Sequence, residues 1–155
     1  MKAIHWIIAA AALACTEPVQ AGVNDPEIII YRFPGVLDDG SANNAGVATS
    51  FHCTNFSGAF ENIRLVTRGP VGALLSNTPI TLNHLETRTA STHGTNAYNN
   101  EISLLTGAVT QGTTAIAATS VNIICTAETI DASTAVPIGV ARRGIRFSPV
   151  PGSQE

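Results

Sequence analysis

GVATSFHCTNF, residues 46–56, and VNIICTA, residues 121–127, are the two stretches that decide the fold of this chain. Side chains alternate between the two faces of a β-strand, so every second residue shares a face. One face carries Val47, Thr49, Phe51 and Cys53 in the first stretch, and Val121, Ile123, Cys125 and Ala127 in the second. The opposite face carries Ser50 and His52 in the first stretch and Thr126 and Glu128 in the second, so we expect His52 to face solvent or a cross-strand partner. Because both cysteines fall on the more apolar face, we predict one buried disulfide, Cys53 to Cys125, between two strands.

The rest of the chain has the pattern of short β-strands separated by turns. Runs that are β-branched or alternate in polarity occur at 27–33, 61–67, 79–84, 101–105, 113–119 and 138–147, with Gly, Pro, Asn or Asp between them. This spacing, without a sustained helical period, predicts an all-β sandwich of about eight to ten strands. We expect Pro34-Gly35 to end the first strand, and Thr87–Thr95 to form an edge or solvent-facing strand.

The spacing of Cys53 and Cys125 is similar to that of the inter-sheet disulfide of immunoglobulin domains. The likeness covers the cysteine pair and the strand count, and on that basis the predicted fold is an immunoglobulin-like β-sandwich. It does not extend to the buried tryptophan that packs against the bridge in antibody domains, since the only Trp is Trp6.

Residues 1–21 have the pattern of a secretory signal peptide. Lys2 supplies the positive charge, Ala3–Ala14 the apolar segment and Val19–Ala21 a small-x-small cleavage pattern. Cleavage would leave one domain at 22–155 with a flexible tail at about 148–155. We therefore predict an exported protein, periplasmic or extracellular, with no transmembrane segment after cleavage. An uncleaved N-terminal anchor is the alternative.

The cysteine count agrees with export. Removal of residues 1–21 would delete Cys15 and leave Cys53 and Cys125 as a pair, as expected in an oxidising compartment. A lipoprotein signal at Cys15 is a second possibility. Such signals usually carry Leu three residues before the cysteine, whereas Leu13 lies two before it, so lipid anchoring is the less favoured prediction.

Composition excludes several classes of function. The 155 residues include 8 Lys+Arg and 11 Asp+Glu, a net charge of -3, with 12% charged residues. A nucleic-acid partner is not expected, because the chain lacks a basic footprint. The only Lys and Met, Lys2 and Met1, precede the predicted cleavage site. Lysine chemistry and a methionine copper(I) site are therefore excluded from the predicted mature chain.

The sequence predicts neither a catalytic centre nor a metal or cofactor site. The histidines that remain after cleavage are His52, His84 and His93, and none belongs to a short metal-ligand pair, so convergence would depend on the tertiary fold. The aspartates are Asp25, Asp38, Asp39 and Asp131, all in turn-like contexts. No Gly-x-Ser-x-Gly elbow is present. We therefore predict that the protein is not an enzyme.

Three polar segments each allow two interpretations. Asp38–Asn44 is either a weak calcium loop or an Asp-Gly turn, and we favour the turn. Arg142, Arg143 and Arg146 form either an anion-binding patch or the charged guard of an edge strand, and we favour the edge strand. Asn55-Phe56-Ser57 matches a glycosylation sequon, which matters only in a secretory pathway that has the transferase.

Three segments carry a resemblance: GVATSFHCTN at 46–55, ASTHGT at 90–95 and AATSVNIICTA at 117–127. They are similar to segments of a family of small exported bacterial single-domain β-proteins to which no activity is assigned. The resemblance covers most of the predicted mature chain. It implies a bacterial, exported protein and carries over no site residue.

Together these observations predict an exported, disulfide-stabilised binding or structural module without catalytic activity. Its partner would be a protein or a glycan that the sequence does not specify. The first alternative is an inhibitor of a secreted hydrolase, with the loop Asp38–Asn44 or Thr92–Asn100 as the inhibitory element. A metal-dependent enzyme is the third interpretation.

Overall fold

A computed structural model describes residues 26–147 as strands joined by turns and loops. The strands are β1 (Ile28–Asp38), β2 (Val47–Asn55), β3 (Glu61–Arg68), β4 (Leu74–Leu82), β5 (Thr87–Ser91), β6 (Glu101–Ser103), β7 (Val109–Ala118), β8 (Ile123–Asp131), β9 (Gly139–Arg142) and β10 (Ile145–Arg146). Within the described range no helix is long and apolar enough to cross a membrane. The predicted signal at 1–21 with Cys15, Asp25 and the predicted tail at 148–155 lie outside that range.

The strands form two five-stranded sheets that pack face to face, which confirms the predicted β-sandwich. The first sheet has the order β10-β1-β7-β3-β4 and the second the order β6-β5-β2-β8-β9. Neighbouring strands are antiparallel except β5 and β6, which run parallel. The ten strands of the described residues match the upper end of the predicted number.

Alternation of apolar residues builds the core between the sheets. In β3, for example, Ile63 and Leu65 are buried while Arg64 between them is partly exposed. The aromatic centre joins the two sheets, because Phe33 of β1 meets Phe51 of β2 edge to face with ring centroids 5.6 Å apart. Both rings are 1% exposed. Burial of such side chains contributes about 1.5–3 kcal/mol each relative to exposure.

The predicted disulfide is present and buried, but its placement differs from that of an immunoglobulin domain. Cys53 and Cys125 lie directly opposite each other on β2 and β8, neighbouring strands of the second sheet, with Cα atoms 4.2 Å apart. The bridge therefore staples one sheet internally instead of tying the two sheets together. The likeness to the immunoglobulin spacing does not extend to the position of the bond.

β1 continues past the point where we expected it to end. Pro34 and Gly35 lie inside the strand, which runs to Asp38. The pairing with β7 shifts register between Pro34 and Val36, and Gly35 takes a φ of 77°. β10 pairs with Tyr31 and Arg32, before the proline is reached. Pro34 is thus tolerated because it sits at a bulge, where glycine supplies the left-handed backbone.

The expectation of an edge or solvent-facing strand at Thr87–Thr95 is wrong for its second half. β5 ends at Ser91 and has β6 on its outer side. Ser91, Thr92, His93 and Thr95 are buried. The segment after β5 folds back over the second sheet and also covers Ser50, which strand alternation had placed on the outer face. The polar side chains of this segment form hydrogen bonds within the protein instead of with solvent.

One end of the interface between the sheets is polar. Thr49 of β2 accepts a hydrogen bond from the backbone N–H of Leu37 at 3.0 Å, and its Oγ1 lies 2.8 Å from the Leu37 carbonyl. Its hydroxyl also lies 3.2 Å from that of Thr129 on β8. Thr129 in turn accepts a hydrogen bond from Nε of Arg142 on β9 at 2.7 Å. Side chains of the second sheet thus satisfy backbone groups of β1 that have no strand partner.

Candidate functional site

The three histidines within residues 26–147 lie in different surroundings. His84 is exposed, with Nδ1 accepting a hydrogen bond from the backbone N–H of Gly58. His52 is half-buried on β2, and His93 is buried in the segment after β5. Among the described residues, the group of three metal-capable side chains that converge is Asp38, Asp39 and His93, with ligand atoms within 4.8 Å of one another. The sequence singled out all three residues but did not bring them together.

Asp38 and His93 form a buried pair. Nδ1 of His93 lies 2.8 Å from Oδ2 of Asp38, and Nε2 lies 3.0 Å from the carbonyl oxygen of Ala45. Both ring nitrogens therefore face acceptors. Satisfying both contacts requires one proton more than a carboxylate and a neutral imidazole hold together. The pair is thus a hydrogen-bonded link between the end of β1, the loop before β2 and the segment after β5.

The loop Asp38–Asn44 has the structure of the favoured turn. Oδ1 of Asp38 accepts a hydrogen bond from Gly40 N at 2.7 Å, and Oδ1 of Asp39 accepts one from Ser41 N at 3.0 Å. The bond from Ser41 lowers the pKa of Asp39 below its ordinary value. Gly46, with a φ of 68°, brings its backbone against the Asp39 carboxylate, where a Cβ atom would collide with both oxygens.

The converging trio does not fit a cation site in this arrangement. A metal ligand must offer a lone pair, and both nitrogens of His93 are committed to hydrogen bonds. Each oxygen of Asp38 already has a partner. The geometry also differs from a Ser-His-Asp triad, because Nε2, the atom that would activate a nucleophile, is bound to a backbone carbonyl.

The two loops that were considered as recognition elements brace each other. The backbone N–H of Asn44 donates to the carbonyl of Gly94 at 2.8 Å, and Gly94 N donates to Oδ1 of Asn43 at 2.9 Å. Asn96 bonds through its backbone N–H to Ala132 O, and through its side chain to Ser133 O. Both loops are therefore anchored at the same end of the sandwich.

A cleft of about 420 Å³ opens on the outer face of the second sheet. Its walls come from strands β2, β8 and β9 and from the loop between β5 and β6. The lining residues are His52, Tyr98, Thr126, Ala127, Glu128 and Ala141. Strand alternation predicted that His52, Thr126 and Glu128 would point away from the core, and the cleft confirms this orientation.

Three side chains of the cleft form one polar cluster. Tyr98 donates a hydrogen bond from its hydroxyl to Oε1 of Glu128. Nε2 of His52 approaches the same oxygen at 3.5 Å, while Nδ1 lies 2.9 Å from the hydroxyl of Thr89 on the adjacent strand. The rings of His52 and Tyr98 meet edge to face at 4.8 Å. Burial and the bond to Glu128 raise the pKa of Tyr98 well above its ordinary value, so the phenol stays a donor.

The loop that carries Tyr98 is held in place by a carboxylate. Glu101 at the start of β6 accepts hydrogen bonds from the backbone N–H and the hydroxyl of Thr95, and from the hydroxyl of Ser91 at 2.7 Å. Ser91 in turn bonds to Ser50 at 2.8 Å. This network fixes the loop against the sheet and places the Tyr98 ring over the cleft.

Sequence reasoning missed Tyr98 as a site residue. It identified His52 as a possible cross-strand partner, which its contact with Thr89 confirms. It also placed Glu128 on the outward face. The position of Tyr98 beside these residues depends on the folding back of an irregular loop, for which the local sequence has no periodic signal. A lone Tyr among asparagines in that loop was the available clue.

The arginines of the late strands do not form one anion patch. Arg142 turns inward to Thr129, whereas Arg146 donates to the carbonyl of Val121 and lies over the ring of Tyr31 at 5.6 Å. β9 and β10, which carry Arg142 and Arg146, are edge strands of different sheets, and the exposed Arg143 lies in the segment between them. The placement agrees with the favoured interpretation of charged edge strands.

The glycosylation motif is inaccessible in the folded protein. Asn55 is 0% exposed, and its Nδ2 donates to the carbonyls of Ala59 at 2.7 Å and Leu82 at 3.1 Å. Transfer of a glycan to this nitrogen would require the turn to unfold. Asn55 is therefore a structural residue of the turn that follows β2.

Comparisons of the chain with family models, with curated proteins and with solved structures find no match.

Proposed function

We propose that this protein is an exported binding module without catalytic activity, and that its ligand occupies the cleft formed by His52, Tyr98 and Glu128. It would act in the periplasm or outside the cell on a protein or glycan partner. Support for export comes from the signal-like pattern at 1–21 and from the buried disulfide, a bond typical of oxidising compartments. Support for binding comes from the cleft.

The observation that carries the proposal is the preorganised cluster in the cleft. Glu128 is fixed by Tyr98, His52 is oriented by Thr89, and the Tyr98 loop is held by Glu101. Polar side chains that are held in one geometry bind a ligand without a large ordering cost. The cleft also combines a donor, an acceptor and an aromatic wall, the combination typical of small-molecule and side-chain recognition.

The experiment is a ligand screen by two-dimensional NMR of isotope-labelled protein. A panel of neutral, acidic and basic small molecules and short glycans is added, and the expected shifts are confined to the residues that line the cleft. Tyr98→Ala should abolish them, whereas Thr81→Ala, an exposed change on β4 of the other sheet, should not. Shifts confined to another surface, or none across the panel, would reject the cleft as the binding site.

Export is tested separately. Native mass spectrometry of protein recovered from periplasm and medium should give a chain that starts at Gly22, with a mass lower by two hydrogens for the disulfide. A full-length chain in the cytoplasm would reject export, and an acyl group on Cys15 would establish lipid anchoring in its place.

A second function, inhibition of a secreted hydrolase, is favoured by the bracing of the loops Asp38–Asn44 and Thr92–Asn100. Standard inhibitor loops bind well because they are rigid before contact. If this is the function, stoichiometric protein should protect the substrate of a secreted protease, and Gly94→Pro, which removes the N–H that bonds Asn43, should weaken protection. Protection that is absent across a protease panel would leave the cleft proposal as the sole candidate.

A further inference from the structure

The charge of the cleft points to the kind of ligand it takes. Of the six lining residues, Glu128 is the one that carries a formal charge at neutral pH, and His52 is the one that can become positive. The carboxylate of Glu101 adds to the negative potential felt by Tyr98. Arg142, the arginine of β9, turns to Thr129 on the opposite face of the sheet, and the exposed Arg143 that follows it is not one of the lining residues. The lining residues therefore supply this pocket with no permanent positive charge.

The carboxylate of Glu128 retains capacity for a ligand. Oε1 takes the hydroxyl of Tyr98, and within the described residues Oε2 makes no protein hydrogen bond. Thr126, beside it on β8, presents a hydroxyl to the same cleft. A half-exposed carboxylate next to an aromatic ring is the arrangement that favours an ammonium or guanidinium group, through charge-assisted hydrogen bonds and the ring face.

His52 lies beside this carboxylate without forming a hydrogen bond to it. Its Nε2 is 3.5 Å from Oε1 of Glu128, longer than a hydrogen bond, so a neutral ring leaves the carboxylate without a counter-ion. The groups that face His52 are Glu128 from β8, Thr89 from β5 and Tyr98 from the loop. Glu101 of β6 is turned to Ser91 and Thr95.

We propose that the cleft binds the positively charged head of an ammonium or guanidinium ligand, with Glu128 as counter-ion and Tyr98 as aromatic wall. The inference rests on the proposed function, because it names the ligand class of the same cleft. The head group could belong to a free amine or to a Lys or Arg side chain of a partner protein, and both present the same chemistry to Glu128.

The test is a titration of labelled protein, followed by NMR, with n-butylammonium and N-methylguanidinium as probes. Butanol and butyrate serve as neutral and anionic controls of similar size. The cationic probes should shift resonances of His52, Tyr98, Thr126 and Glu128, and the controls should not.

Variants separate the roles of the two ionisable groups. Glu128→Gln should abolish binding of both cations, and His52→Gln should retain it, because the His52 ring does not form a hydrogen bond with Glu128. Tyr98→Phe keeps the ring but removes the hydrogen bond that fixes Glu128, so it should bind the cations more weakly than the native protein and more tightly than Tyr98→Ala. Dispersed spectra of the unliganded variants establish that each is folded. If Glu128→Gln does not fold, the titration of Tyr98→Phe and the neutral control together test whether the cleft binds cations.

The source of the head group is resolved by comparing the free cations with the blocked tripeptide acetyl-Gly-Arg-Gly-amide. Tighter binding of the peptide identifies a partner's side chain, and tighter binding of the free cation identifies a small amine. Equal binding of butanol and butylammonium, or a Glu128→Gln variant that still binds, would overturn the cation assignment. If neutral panel ligands shift the cleft while cations do not, the binding module stands and the ligand class is wrong. If nothing shifts the cleft, both proposals fail.

Discussion

Glu61 is fully buried at the start of β3, and the fold treats its two carboxylate oxygens differently. Oε2 accepts a hydrogen bond from the hydroxyl of Thr119, whereas Oε1 is buried without a partner. A buried polar oxygen that loses its water without a replacement costs about 1–3 kcal/mol, and more when it carries charge. This residue is a local source of instability that the neighbouring strands offset.

We therefore expect Glu61→Gln to raise the free energy of unfolding at neutral pH by about 1–3 kcal/mol, since it removes the charge and keeps the shape. Thr119→Val, which removes the hydroxyl bonded to the other oxygen, should lower it. Urea denaturation followed by far-ultraviolet circular dichroism measures both changes in the free energy of unfolding. A Glu61→Gln variant less stable than the native protein would mean that the carboxylate has a role that its visible partners do not explain.

Exposed carboxylates in turns should determine how the stability of the protein falls at acidic pH. Hydrogen bonds from Ser133 lower the pKa of Asp131 below its ordinary value of 3.8, and bonds from Asn83 lower that of Glu86 below 4.5. Because these pKa values are lower in the folded protein than in the unfolded chain, the stabilisation is fully present at a pH above the ordinary pKa values. It is lost as the pH falls through the pKa values of the folded protein. Melting temperature should thus fall below about pH 4, and Asp131→Asn should flatten the decline. An unchanged acid limb in that variant would contradict the assignment.

At the scale of elements, the buried pair Asp38 and His93 ties three segments that have no shared strand. His93→Ala would leave the Asp38 carboxylate buried beside a cavity, and breaking a buried pair in this way typically costs about 3–5 kcal/mol. Asp38→Asn is different, because an Asn amide can donate to Nδ1 while the neutral ring donates from Nε2 to Ala45. We expect that variant to lose no more than about 1 kcal/mol.

Urea denaturation gives the two free energies, and amide spectra of Asn44 and Gly94 report whether the loops stay docked. The expected order is native, then Asp38→Asn, then His93→Ala, with loop resonances displaced in His93→Ala alone. Equal losses in the two variants would show that charge, instead of hydrogen-bond matching, holds the segments together.

The elements differ in how far the sequence predicts them. β2 and β8 were predicted with their faces, because apolar and polar residues alternate through Phe51, Cys53, Ile123 and Cys125. The sequence did not predict that β1 continues through Pro34, because the bulge there depends on the pairing with β7 and on where β10 ends. The sequence also did not predict that the segment after β5 is buried. Its Thr and Ser residues give no hydrophobic pattern, and they are buried through hydrogen bonds that only the tertiary fold supplies.

The same distinction holds for the sites. The disulfide was predicted because strand alternation and cysteine count both constrain it. The cleft combines residues from β2, β8 and a loop that are far apart in sequence, and its geometry depends on the anchoring of Thr95 by Glu101. Neither feature has a short spacing that a single sequence could reveal. Whether the cleft is the functional site is decided by the ligand screen.

At the scale of the whole molecule, stability should depend strongly on the single disulfide. The bond closes a loop with a sequence separation of 72 residues, and in the chain-entropy treatment a loop of this length contributes about 4–5 kcal/mol. Typical domains have only about 5–15 kcal/mol of total stability. Since β2 and β8 also pair through nine opposed residues, from Val47 to Asn55, the reduced chain retains the contacts that direct its fold.

We expect reduction to lower the urea midpoint sharply while leaving a folded sandwich in water. The double variant Cys53→Ala/Cys125→Ala should reproduce the loss without reductant and show no further response to dithiothreitol. A loss below about 1 kcal/mol in both samples would mean that the bond does not constrain the unfolded chain as assumed, and that the sheet pairing alone holds the second sheet together.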